Sequence, residues 1–154
     1  MINLQVKRKV KLPVDKNILL HAAQLTLDLE NVTKGSALSV VIGDDTFLKK
    51  LNQKYRGIEA TTDVLSFPSS ELDPDTNSIY LGDVIISLPR AEYQASAGGH
   101  PLMDELQLLV VHGILHLLGY DHLERAEKKK MQLAQDKVLN QLGVRLVNKL
   151  GLFR

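Results

Sequence analysis

The chain has 154 residues, 44% hydrophobic and 24% charged, with a net charge of +1 and no cysteine. That length suits one domain with a sizeable core, while the missing cysteines exclude disulfides and thiolate sites, so any metal must rest on His, Asp or Glu. Apolar runs stay below the roughly 20 residues needed to span a bilayer, and the charges of MINLQVKRKVKLP follow its apolar stretch, the reverse of a secretory leader, so the expected location is cytoplasmic.

In chain order, INLQV (residues 2–6) alternates like a half-buried edge strand. From Val14 to Leu29, the apolar residues Ile18, Leu19, Ala22, Ala23, Leu25 and Leu29 recur at helical spacing, with Asp15 as cap. ALSVVI (37–42) reads as a buried strand. Gly43, Asp44 and Asp45 then lead into the helix DTFLKKLNQKYR, with Phe47, Leu48, Leu51 and Tyr55 on its inward face and Tyr55 assigned to the core. VLSFP (64–68) is a short strand stopped by its proline, followed by a polar loop, SSELDPDTNS. LGDVIISL (81–88) is the strongest strand.

Pro89 suits the first turn of a helix reaching Ser96 and ended by Gly98-Gly99. Pro101 to Leu118 is a long apolar helix stopped by Gly119. A last helix, about Leu123 to Leu142, turns Met131, Leu133, Ala134, Val138 and Leu142 inward, and Gly143 closes it. With no repeat or low-complexity linker, the expectation is one α/β (α+β) domain over residues 1–154. It holds a small mixed sheet of about four strands flanked by helices.

Charge is unevenly placed. All nineteen basic residues lie outside 57–89, where the only charges are Glu59, Asp63, Glu71, Asp73, Asp75 and Asp83. A near-neutral total can therefore still present a basic face, although KRKVK and EKKK equally suit solvated surface.

Chemistry concentrates in HGILHLLGYDH, residues 112–122. His112 and His116 are i and i+4 on the long helix, about 5–6 Å apart at Cβ, and can share one ion. Gly119 lets the chain leave the helix and brings His122 back toward it. Three histidines with an open fourth position are the arrangement of a catalytic zinc site. Asp121 suits either a contact that orients a histidine or a turn. His21 and His100 lie outside the cluster and read as surface or core residues.

The spacing matches the metzincin frame H-E-x-x-H-x-x-G-x-x-H, but Gly113 stands where the general base would be, which argues against peptide hydrolysis. The same glycine also leaves room for a bulky substrate.

HGILHLLGYDH, together with LNQKYRGIEATTDVLSFP (51–68), YLGDVIIS (80–87) and Met131, resembles the blocks of the YbeY family of bacterial metal-dependent endoribonucleases, in the family's order. The resemblance implies a zincin-like metal helix and His112, His116 and His122 as ligands of one zinc ion; nickel or cobalt would also suit three imidazoles, since affinity alone does not choose among them. It makes Arg56 the catalytic arginine that contacts the RNA phosphate, although an arginine ending a helix also complements its dipole. It further implies single-strand-specific cleavage in ribosomal RNA maturation, including 16S rRNA 3′ end processing, and ribosome quality control. The implied partners are ribosomal RNA and the ribosome (30S subunit) or its assembly factors, with no membrane and no DNA. Gln135 departs from the acidic residue many members carry four places after the methionine, a position expected outside the metal motif. Asp63 and Asp83 are given no catalytic role. A non-catalytic, metal-stabilised RNA-binding assembly factor is the alternative, and a zinc peptidase or other hydrolase a weaker one.

Overall fold

The computed structural model describes residues 1–146. Four strands and five helices follow one another along this stretch: β1 (Ile2–Val6), α1 (Lys16–Leu29), β2 (Ala37–Gly43), α2 (Asp45–Arg56), β3 (Val64–Leu72), β4 (Ile79–Ser87), α3 (Leu88–Gly98), α4 (Leu102–Leu117) and α5 (Arg125–Leu142). The expected domain ran to residue 154, and residues 147–154 lie outside the described ones.

The sheet has the order β1-β2-β4-β3, with β1, β2 and β4 parallel and β3 antiparallel to β4. It is the small mixed sheet expected, and its alternation divides two cores. Leu38, Val40, Ile42, Val84 and Ile86 point into the larger one with Leu19, Ala22 and Ala23 of α1 and most of α4. Leu65 and Ile85 point to the other face, where Leu48 of α2 covers them. From Glu105 to Leu115 every residue of α4 is buried, which explains why its sequence is apolar all round.

Local signals fix most boundaries. Asp15 caps α1 by accepting from the Asn17 amide at 2.9 Å, and Asp44 caps α2 by accepting from Phe47 at 2.8 Å. Gly57, Gly99 and Gly143 end α2, α3 and α5 in the left-handed region.

Three expectations are corrected. β3 does not stop at Pro68 but runs to Leu72, because it is an edge strand whose register shifts between Pro68 and Glu71, a place where a residue without an N–H is tolerated. Tyr55 is 59% exposed and outside the core: the cluster beneath α2 is small, and the ring meets its rim edge-on at Phe67, 5.3 Å between centroids. Leu133 is exposed too, since α5 buries the stripe of Met131, Gln135, Val138 and Leu139 instead.

Candidate metal centre

The site stands where α4 ends. His112 and His116 occupy its last two turns with ring centroids 4.7 Å apart. The helix then closes with Gly119 donating to the His116 carbonyl at 3.1 Å and Tyr120 to that of Leu115 at 3.0 Å. Gly119 makes this exit possible, since its φ of +101° is strained for any residue with a Cβ. The returning chain sets the His122 ring 4.9 Å from that of His116 and 5.7 Å from that of His112. One nitrogen from each of the three rings lies within 4.8 Å of the others.

Neighbouring groups set how two of these rings are presented. The Nδ1 of His116 donates to the Tyr120 carbonyl at 2.9 Å, and a carbonyl can only accept. The Nδ1 of His112 lies 2.9 Å from the Oε1 of Gln135, which accepts its proton. Both contacts leave Nε2 as the lone-pair nitrogen, the form in which histidine binds a metal. Burial drives the His112 pKa down to about 4, against the opposing pull of the Gln135 hydrogen bond. Burial also lowers His116, with His122 adding to the effect. At neutral pH both rings are therefore uncharged. Asp121 forms the turn, its carboxylate accepting from the backbone of His122 at 2.6 Å.

The histidines line an open cleft of about 540 Å³ that also takes in Arg56, Thr62, Asp63 and Ser66. Arg56 ends α2 and is exposed, so its charge reaches the cleft from the opposite face of the sheet's edge. Asp63 sits at the start of β3, where its carboxylate accepts from Val64 at 2.8 Å and its charge favours the protonated form of His112. Asp83 lies apart from the cleft, hydrogen-bonded by the Tyr80 hydroxyl. His21 is exposed, and His100 is buried against Glu105 at 2.8 Å; both are outside the cluster.

Two readings from the sequence change. Gly113 does not leave room for substrate. A Cβ there would lie 2.4 Å from Cγ1 of Val84, so the missing side chain is what lets α4 rest on β4, and Ser66 fastens the contact by donating to the Gly113 carbonyl at 2.9 Å. No glutamate fits at this place without moving the helix off the sheet. Gln135, expected outside the site, is buried and holds His112. A signal for it was present: a polar residue on an otherwise apolar helical stripe needs a buried partner.

A family model described as Endoribonuclease YbeY matches residues 1–143. The chain belongs to the YbeY family. Among its relatives, the endoribonuclease YbeY of Pelotomaculum thermopropionicum is 43% identical over 140 residues, covering 87% of this chain and 92% of that protein. That of Roseiflexus sp. (strain RS-1) is 41% identical over 150 residues, covering 93% of each. The fold is also similar to the solution structure of TM1509 from Thermotoga maritima, with a TM-score of 0.62 at 27% identity over 92% of this chain and 89% of that one. No helix among the described residues is long and apolar enough to cross a membrane.

Proposed function

We propose that this protein is a metal-dependent endoribonuclease in which His112, His116 and His122 hold the ion and Arg56 binds the scissile phosphate. The observation that carries the reading is the convergence of three imidazoles, two of them locked as neutral Nε2 donors, with one guanidinium on the same open cleft. Its relatives' shared name, endoribonuclease, supports RNA as the substrate.

The donor set suits the group. Three imidazole nitrogens accommodate zinc with a position to spare, and nickel or cobalt would also be accepted, since imidazole does not choose strongly among them. When bound, such an ion supplies positive charge that polarises a phosphoryl oxygen and eases deprotonation of a nucleophile. The rest falls to the chain itself. Arg56, always charged, offers paired N–H groups that clamp phosphate oxygens and neutralise the charge growing on them. RNA brings its own nucleophile in the 2′-hydroxyl, so the reaction does not need the carboxylate that Gly113 denies. Gln135 and the Tyr120 carbonyl keep two rings from turning. By the same resemblance, the whole chain acts in the cytoplasm on single-stranded ribosomal RNA, including the 3′ end of 16S rRNA, in association with the 30S subunit or its assembly factors.

The test is cleavage of a labelled single-stranded RNA by purified protein with and without chelator. Wild type should cut only when metal is available, and His116→Ala should not cut. Arg56→Ala should keep its metal and lose roughly 100- to 1,000-fold in rate. Cleavage by His116→Ala at the wild-type rate would contradict the reading.

A further inference from the structure

A second cleft, of about 490 Å³, opens at the far end of α2 from the histidines. Lys7, Arg8 and Lys9 line it from the segment after β1, and Lys50 faces them from α2. That segment is held in place. Lys7 donates to the Ile42 carbonyl at 2.9 Å and Val10 to that of Lys7 at 3.0 Å, so Arg8 and Lys9 project from a hydrogen-bonded turn. The Phe47 ring forms the floor with Lys7 Nζ 4.7 Å above it, and it lies where a Cβ on Gly43 would come within 2.6 Å of its Cδ2.

Asp44 also lines the cleft, and Asp45 stands beside it at the start of α2. Asp44 spends its carboxylate on the Phe47 amide, and Asp45 accepts from Ser87 at 2.6 Å and Thr61 at 3.1 Å. Among the described residues, none of the four cations is paired with a carboxylate. Four cations against the single Asp44 carboxylate leave the concavity net positive, which raises the local concentration of anions, and the positive end of the α2 dipole adds to them. Between the two clefts, the exposed side of α2 carries Lys49, Lys50, Lys54 and Arg56, with neutral Gln53 and Tyr55 also exposed among them. Lys50 and Arg56 are six residues apart, about 9 Å along the helix.

We propose that this cleft is a second phosphate-backbone subsite. It takes the part of a single-stranded RNA that extends beyond the scissile bond, with the outer side of α2 as the track between the two clefts. The proposal rests on the ribonuclease reading for its choice of polyanion. Sequence is not read here, since lysines and one arginine on an open cleft address phosphates rather than base edges. The subsite therefore lends affinity to long substrates and leaves short ones unaffected.

The test compares single-stranded RNAs of about 5 and about 16 nucleotides, bound to His116→Ala protein so that nothing is cleaved. To this background the exposed substitutions Arg8→Glu, Lys9→Glu and Lys50→Glu are added together. Affinity for the long RNA should fall at least about tenfold, and the dependence of log K on log salt should flatten by about 2 for three lost phosphate contacts. Affinity for the short RNA should be unchanged. Unchanged binding of the long RNA, or equal losses for both lengths, would overturn the proposal. Failure of the wild type to cleave either RNA would instead count against the ribonuclease reading, and the binding comparison would still decide the fate of the subsite.

Discussion

Gln135 shows how much one buried amide controls in this site. It lies twenty-three positions from His112 and touches it only because α5 folds back along α4, which is why the linear motif gives no hint of the contact. Gln135→Leu keeps the volume and removes the acceptor, so metal affinity should fall about 10- to 100-fold in a chelator competition. Gln135→Glu retains an acceptor and should bind at least as tightly as wild type. Wild-type affinity in Gln135→Leu would show that His112 is held by something else. At Gly113 the expected effect is on folding. Gly113→Ala puts a methyl into Val84 and should cost about 1–3 kcal/mol in urea unfolding. The sequence identified this glycine as incompatible with a protease base. That it is the seat of a helix on a strand depends on a crossing between α4 and β4 that no local pattern encodes.

Elements with their own start and stop signals were legible. α2 spans the twelve residues expected, because an aspartate caps one end and a glycine the other. The exit from α4 was likewise readable from Gly119, and it predicts a variant. Gly119→Ala forces a Cβ onto a φ of +101° and should destabilise the protein by about 1–3 kcal/mol while loosening metal binding, as His122 loses its position. A metal titration alongside the urea curve checks both effects, and unchanged affinity would mean that the loop finds another path. What failed was anything decided by a neighbour. Pro68 ends a strand by local rules, yet β3 continues through it because no further strand needs its N–H. Tyr55 and Leu133 sit at helical spacing in apolar company, but which way a broad apolar face turns depends on how much sheet or helix there is to cover.

For the molecule as a whole, burying neutral imidazoles in the core has a cost that depends on pH. His112 titrates near 6.5 when unfolded and at about 4 when folded, so between these values the unfolded chain binds more protons. Metal-free protein should keep its full stability above about pH 6.5 and lose it as the pH falls toward 4, by about 3 kcal/mol from His112. The lowered pKa of His116 acts in the same direction. Urea unfolding of chelator-treated protein across that window checks this, and a flat profile would contradict it. Bound metal should steepen the dependence, because protons then compete with the ion for the same nitrogens. The central claim is that these three histidines form one metal centre, and elemental analysis of the purified, metal-loaded protein tests it most directly. Wild type should carry about one zinc, nickel or cobalt ion per chain, and the variant with His112→Ala, His116→Ala and His122→Ala should carry none. A wild type that takes up no metal, or a triple variant that keeps it, would contradict the account.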